Sequence, residues 1–284
     1  MTAFLELAEA VRRHVTPGCS LAAEGFTHLI PHAAGAEIIR QGIRHLRLIR
    51  MTPDIIYDQM IGMGCADALV FSWGGNPGVG SLFRLRDAYE RSVPHSMEFE
   101  EHSHAAMANA YAAGAAGMPC AIFKGYRGTD YPEVNPRIRF VECPFTGEQL
   151  TAVPAHRPDV AIIHAQRADR EGNIWMTGIL GVQKEAVLAA EVSIVTVEEI
   201  VDRVDERGGG TVIPHWAIDV VCEAPLGAFP SYAEGCYDRS NAFYQRWGEI
   251  SKDYDRFRDW MQRYVVGSDD FTQLLAMLKA DGYV

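Results

Sequence analysis

VAIIHAQRADREGNIWMTG, residues 160–178, decides the fold. Its first seven residues form a short apolar run rich in isoleucine and valine, which predicts a buried strand. The run empties into a polar turn, where Gly172-Asn173 suits a backbone needing positive φ. VSIVTVE (192–198) repeats the strand pattern, and LRLIRM (46–51), ALVFSWG (68–74) and PCAIFKG (119–125) add further strands. A short apolar strand also follows the Pro17-Gly18 turn. Helical spacing appears over residues 3–15, 32–42 and 101–118, then over 238–263 and 268–281. Strands alternating with helices predict an α/β fold: a mainly parallel open sheet covered by helices, with C-terminal helices against its edge or a partner. Residues Asp169, Arg170 and Glu171 would then stand at the carboxyl edge of the sheet, where open α/β sheets bind ligands.

The chain has 284 residues, 48% of them hydrophobic and 22% charged, which is a globular composition with enough length for a large core. No repeat, low-complexity stretch or linker divides it, so residues 1–284 are expected to be one domain. The net charge of −11 argues against non-specific nucleic-acid binding, which needs clustered Lys and Arg. The six cysteines are scattered and none forms CxxC, as in reduced cytoplasmic proteins. The opening MTAFLELAEAVRRHV is interrupted by acids, unlike a signal peptide, and no apolar run reaches the ~20 residues of a membrane span.

Three segments could carry chemistry. AAEGFTHLIPHA (22–33) reads as strand, glycine turn and helix; Glu24, Gly25, Phe26 and Thr27 form its turn. The N–H groups of Gly25, Phe26 and Thr27 could face a developing oxyanion, or the segment could be a plain βα turn. SWGGNPGVG (72–80) is too irregular for a GxGxxG fingerprint, yet Gly74, Gly75, Asn76 and Gly78 could bring backbone close to a ligand. SMEFEEHSHAAM (96–107) holds three carboxylates and two histidines. His102 and His104 would diverge on a helix and lack spaced partners, so no metal site is expected. Glu100 and His104 fit a helical i,i+4 pair. Glu101 stands before an alanine- and glycine-rich stretch expected to be a buried helix, and a carboxylate at its mouth would be partly desolvated and suited to acid–base work.

The segments EGFTHLIPHA, FSWGGNPGVG, EFEEHSHAAM, HAQRADREGNIWMTG, EAVLAAEVSIVTVEEIV and EAPLGAFPS occur in the order found in alpha subunits of family I coenzyme A transferases. The resemblance runs from about residue 3 to 281, and the glutaconate branch looks most similar. It implies a CoA thioester as substrate, with no permanently bound cofactor. In the family a glutamate on the beta subunit, in a Glu-x-Gly strand end, attacks the acyl-CoA and cycles through an anhydride and an enzyme–CoA thioester. The resemblance therefore implies a partner beta subunit, an α2β2 assembly, and an acyl-CoA and small organic acid as substrates. It gives this chain the 24–27 loop as oxyanion donor, and an acyl pocket lined by residues 74–80 and Glu101.

Two departures stand out: Glu24-Gly25-Phe26 where the family has Gly-Gly-Phe, and Phe229 where a histidine is common. A related branch resembles ring-opening hydrolases of steroid catabolism, which use a glutamate at the position of Glu101. A CoA-thioester hydrolase using Glu101 is thus the alternative to transfer. A small-molecule sensor module is a third reading. No arginine pair marks a dicarboxylate, although Lys124, Arg127, Arg167 and Arg170 are candidate cations for substrate.

Overall fold

The computed structural model describes residues 1–76, 78–205 and 209–283. Its main sheet runs in the order β1 (Ala3–Phe4), β13 (Val220–Glu223), β11 (Val192–Val201), β9 (Val160–Asp169), β2 (Ser20–Glu24), β3 (Leu46–Arg50), β4 (Ala66–Phe71), β5 (Glu98–Glu101). Every neighbouring pair along that path is parallel. β10 (Ile174–Met176) folds back antiparallel on β9, and β12 (Thr211–Ile213) pairs with β10. The polar turn of residues 170–173 joins β9 to β10. Gly172 adopts a φ of 96° there, and the Asp169 carboxylate accepts the N–H groups of Glu171 and Asn173. Asp169 thus closes a turn, while Arg167 and Arg170 pair at the surface with Glu199 and Asp202.

The sheet's apolar strands are covered on both faces, as parallel sheets require. On one face α1 (Leu7–His14), α2 (His32–Arg40) and α3 (Ile55–Gly62) pack on Leu21, Leu48, Leu69 and Ile162. α4 (Phe83–Arg91) follows β4 on that side. Asp58 of α3 accepts the N–H groups of Arg84 and Leu85 at 2.8 and 2.9 Å, satisfying donors in the first turn of α4 that have no helical acceptor. On the other face α5 (His104–Ala115) and α7 (Gln183–Ala189) cover Ala22, Ile49, Val70 and Ala161.

A second sheet lies outside the main one. Its three strands are antiparallel in the order β6 (Cys120–Phe123), β8 (Gln149–Pro154), β7 (Arg139–Glu142), with the helical turn α6 (Tyr131–Val134) between β6 and β7. The strand expected at 119–125 therefore exists but belongs to this sheet. The C-terminal helices form α8 (Asn241–Ser251), α9 (Tyr254–Trp260) and α10 (Phe271–Ala280). Asp253 caps α9 through the N–H of Arg256 and so splits the single helical stretch expected over 238–263. Phe229 joins this group, its ring 5.6 Å from that of Phe243, in the core under the C-terminal helices.

The helix expected over 101–118 needs correction. Residues 98–101 are the edge strand β5, in register with Ala68–Phe71 of β4. The helix begins at His104 because Ser103 is its N-cap, accepting the N–H of Ala106. Nor is α5 buried on nearly every face: Ala106, Ala110 and Ala113 are buried, while Ala105, Asn109 and Ala112 are not fully covered. Close approach is real at Gly114, where a Cβ would lie 1.9 Å from the His156 carbonyl oxygen.

Candidate active site

Chain order supplies the first pointer. β2, β3, β4 and β5 run outward in one direction, and the chain then returns to lay β9 on the other side of β2. The order reverses at β2, and crevices at such reversals are where open sheets hold ligands. The turn after β2 sits there. Gly25 is required by space: a Cβ would come within 2.6 Å of the Leu29 carbonyl oxygen and 2.9 Å of that of His28. Thr27 and Leu29 both adopt left-handed backbone, with φ of 59° and 52°. His28 holds the turn in place. Its Nε2 accepts from the Glu234 N–H and its Nδ1 lies 3.2 Å from the Ile179 carbonyl oxygen, while burial pushes its pKa down to about 4. The imidazole is therefore neutral at physiological pH.

The three N–H groups of this turn are not equivalent. Phe26 donates to the His28 carbonyl at 3.1 Å. That of Gly25 is turned to the Glu24 carboxylate. Thr27 N–H has no acceptor among the described residues, so it is the donor open to a ligand. Glu24 itself is buried and accepts from the Met51 N–H at 3.0 Å and the Tyr111 hydroxyl at 2.9 Å. Burial raises its carboxyl pKa, against the opposing charge of Arg50 and these hydrogen bonds.

The turn after β4 forms the next wall. Ser72 donates to the Met51 carbonyl, and Gly75 N–H to the Pro53 carbonyl at 3.1 Å, fastening this turn to the one after β3. Gly74 and Gly75 line a cleft of about 470 Å³ with Trp73, Leu85, Phe99 and Glu101. Asn76 is buried behind it and Gly78, at φ 77°, is not part of the lining. Pro77 lies outside the described residues.

Glu101 ends β5 and is exposed in this chain, in contrast to the desolvated helix-mouth carboxylate expected. It lines both the glycine cleft and a neighbouring cleft of about 520 Å³ that includes Arg47, Tyr131, Asn135 and Arg137. Its Oε1 accepts from the Tyr131 hydroxyl at 3.0 Å, and its carbonyl from the Asn135 amide at 2.8 Å. Glu100, expected to pair with His104 along a helix, instead faces Arg47, Arg137 and His102. Burial favours its neutral form, but the His102 hydrogen bond and the arginine charges win and hold its pKa at about 2. His104 ties the walls together. Its Nδ1 is 3.3 Å from the Ser72 hydroxyl, its Nε2 is 3.3 Å from the Thr52 hydroxyl, and its ring meets Phe26 edge-on at 6.5 Å.

Lys124 and Arg127 stand apart on the small sheet. Lys124 pairs with Glu148 at 2.8 Å and Arg127 donates to the Gln149 carbonyl at 3.0 Å; neither lines the two clefts. Ser72, Thr52, His104 and Tyr131 are the site residues sequence reasoning did not single out, because each acquires its place from another strand end. Among the described residues no cluster of three or more His, Cys, Asp or Glu is placed to hold a metal ion, and no helix is long and apolar enough to cross a membrane.

Glycine turns, a backbone donor and a carboxylate at the carboxyl edge of a parallel sheet define an α/β ligand-binding edge of the kind used by enzymes that act on small molecules. The chain belongs to the coenzyme A transferase family, whose model matches residues 4–224. One of the two chains of the 3-oxoadipate CoA-transferase of Pseudomonas knackmussii is 57% identical over 278 residues, which span 98% of this chain and 99% of that protein. The corresponding chain of the glutaconate CoA-transferase of Acidaminococcus fermentans is 30% identical over 297 residues, 99% of this chain and 93% of that one. The crystal structure of the A. fermentans glutaconate enzyme superposes with a TM-score of 0.89, covering 98% of this chain and 93% of that chain. The structure of a decarboxylase, AibA/AibB, superposes with a TM-score of 0.81 at 27% identity, covering 92% of this chain and 99% of that one. The chain is thus one of the subunits of a CoA-transferase.

Proposed function

We propose that the chain is the alpha subunit of a cytoplasmic α2β2 CoA-transferase, and that its acceptor is a short oxo-dicarboxylic acid of the 3-oxoadipate class. The nucleophilic glutamate belongs to the beta subunit. The position of Glu101, shared by the glycine cleft and the Tyr131 cleft at the sheet's carboxyl edge, carries this reading. Both clefts are open to solvent in the single chain. Trp73 and Tyr89, which line the glycine cleft, are 45% and 70% exposed. An acyl anhydride survives only where water is excluded, so a second chain must close the site, and large exposed apolar side chains around a cleft suit a protein interface. The acceptor class follows from the likeness to the 3-oxoadipate enzyme.

Within that assembly the partner glutamate attacks the thioester carbonyl, and CoA leaves as its thiolate. Thr27 N–H donates to the tetrahedral oxyanion. Gly74 and Gly75, lacking side chains, let the acyl group lie against the backbone. Glu101, oriented by Tyr131, shapes the acyl end. The test is CoA exchange from an acyl-CoA to 3-oxoadipate or glutaconate, measured for this chain alone, the partner alone and the purified complex, whose mass reads the stoichiometry. The reading expects exchange by the complex only, faster with 3-oxoadipate. Hydrolysis of the acyl-CoA at one rate with or without acid would overturn it.

A further inference from the structure

We propose that Glu24 and Arg50 are positioning residues that brace the two strand-end turns forming the site, and that this brace sets kcat rather than substrate affinity. The proposal rests on the transferase reading above. It begins with where the backbone ladder stops. β2 and β3 pair only as far as Ala22 and Ile49, whereas β2 continues beside β9 to Glu24, and β3 beside β4 to Arg50. The two strands therefore part at the carboxyl edge. The parting opens the crevice and strips backbone groups on either side of their ladder partners. Buried backbone groups must find others.

Side chains supply them reciprocally. Glu24, on β2, accepts from the N–H of Met51, which follows β3. Arg50, on β3, donates to the carbonyls of Ala23 and Gly25 on the β2 side, and to that of Thr52 at 2.9 Å. Tyr57 fills the remaining gap, its hydroxyl accepting from Ala23 N–H and donating to the Ile49 carbonyl, each at 3.0 Å. The two charged side chains leave by opposite faces. Glu24 meets the Tyr111 hydroxyl of α5, while Arg50 pairs with Asp54 at 3.0 Å and lies over the Tyr57 ring. Glu24 is 2% exposed and Arg50 is fully buried, and neither lines the clefts. Their targets do lead to the site. Gly25 is two residues from the open N–H of Thr27, Thr52 contacts His104, and Tyr111 belongs to the helix that His104 begins. One pair of side chains thus fixes all three walls.

The test uses the assembled complex and compares three variants. The Glu24→Gln amide oxygen still accepts from Met51 N–H and Tyr111, so kcat stays within about threefold of wild type, whereas Glu24→Ala removes the acceptor and lowers kcat about 30-fold, with KM for the acyl-CoA moving less than about threefold. Tyr111→Phe, which removes one hydroxyl and is the variant to rely on if Glu24→Ala fails to assemble, lowers kcat about three- to tenfold at constant KM. Equal losses in Glu24→Gln and Glu24→Ala would assign Glu24 an acid–base or charge role and overturn the proposal. So would Glu24→Ala or Tyr111→Phe complexes that melt earlier but keep full kcat. A wild-type complex that hydrolyses acyl-CoA without transferring CoA would sink the transferase reading alone, because the contrast between variants can be read on hydrolysis equally well.

Discussion

The Tyr131 hydroxyl donates to Oε1 of Glu101 at 3.0 Å, joining the end of the edge strand to the helical turn beside the small sheet. This contact sets the direction in which Glu101 points between the two clefts. In a transferase whose nucleophile is on the partner, Glu101 shapes the acyl site and does not bond covalently to substrate. Replacing Glu101 with Gln in the complex is therefore expected to lower kcat/KM about 10- to 100-fold, the value of one hydrogen bond to a charged group. Tyr131→Phe should cost several-fold in the same direction. Complete loss of turnover in Glu101→Gln, with the complex intact by mass, would favour a hydrolase that uses Glu101 itself.

Gly25→Ala tests the turn after β2. The added methyl group meets two backbone carbonyl oxygens and the Ile30 Cα, at 2.6 to 2.9 Å, and none of these can swing away as a side chain would. The turn must open, moving Thr27 N–H off its line. Initial-rate measurements are expected to show a kcat loss of at least about tenfold, since displacing a donor by a fraction of an ångström is enough. Unchanged kcat would remove this turn from the chemistry.

Glu100 makes stability depend on acid. Its carboxyl pKa falls from an ordinary 4.5 to about 2 in the folded chain. The folded state thus binds its proton less readily than the unfolded one. The stabilisation is fully present above about pH 4.5 and is lost as pH falls toward 2, with a slope of up to about 1.4 kcal/mol per pH unit. Denaturant melts across that range should show a smaller acid loss in Glu100→Gln than in wild type. Parallel curves would mean that Arg47, Arg137 and His102 do not stabilise the charged carboxylate.

The parallel sheet was legible because VAIIHAQ and VSIVTVE are buried on both faces, and two-sided burial leaves a continuous apolar run in the sequence. The two glycine turns were legible for a similar local reason: Gly25 and Gly75 occupy places a side chain would fill. The acidic stretch misled. Glu98–Glu101 is a four-residue edge strand whose charged side chains suit an edge, so it carries no apolar signal. The brace between Glu24 and Arg50, and the meeting of His104 with Ser72 and Thr52, join residues from different strands. No local pattern encodes such contacts; they follow from strand order.

The most direct measurement finds the covalent intermediate. The complex is incubated with acyl-CoA and no acceptor acid, then quenched with hydroxylamine, which converts a glutamyl thioester into a hydroxamate. Mass spectrometry of both chains locates the tag. The account predicts the hydroxamate on one glutamate of the beta subunit, with every peptide of this chain unmodified. A hydroxamate on Glu101 would contradict it and place the nucleophile on this chain.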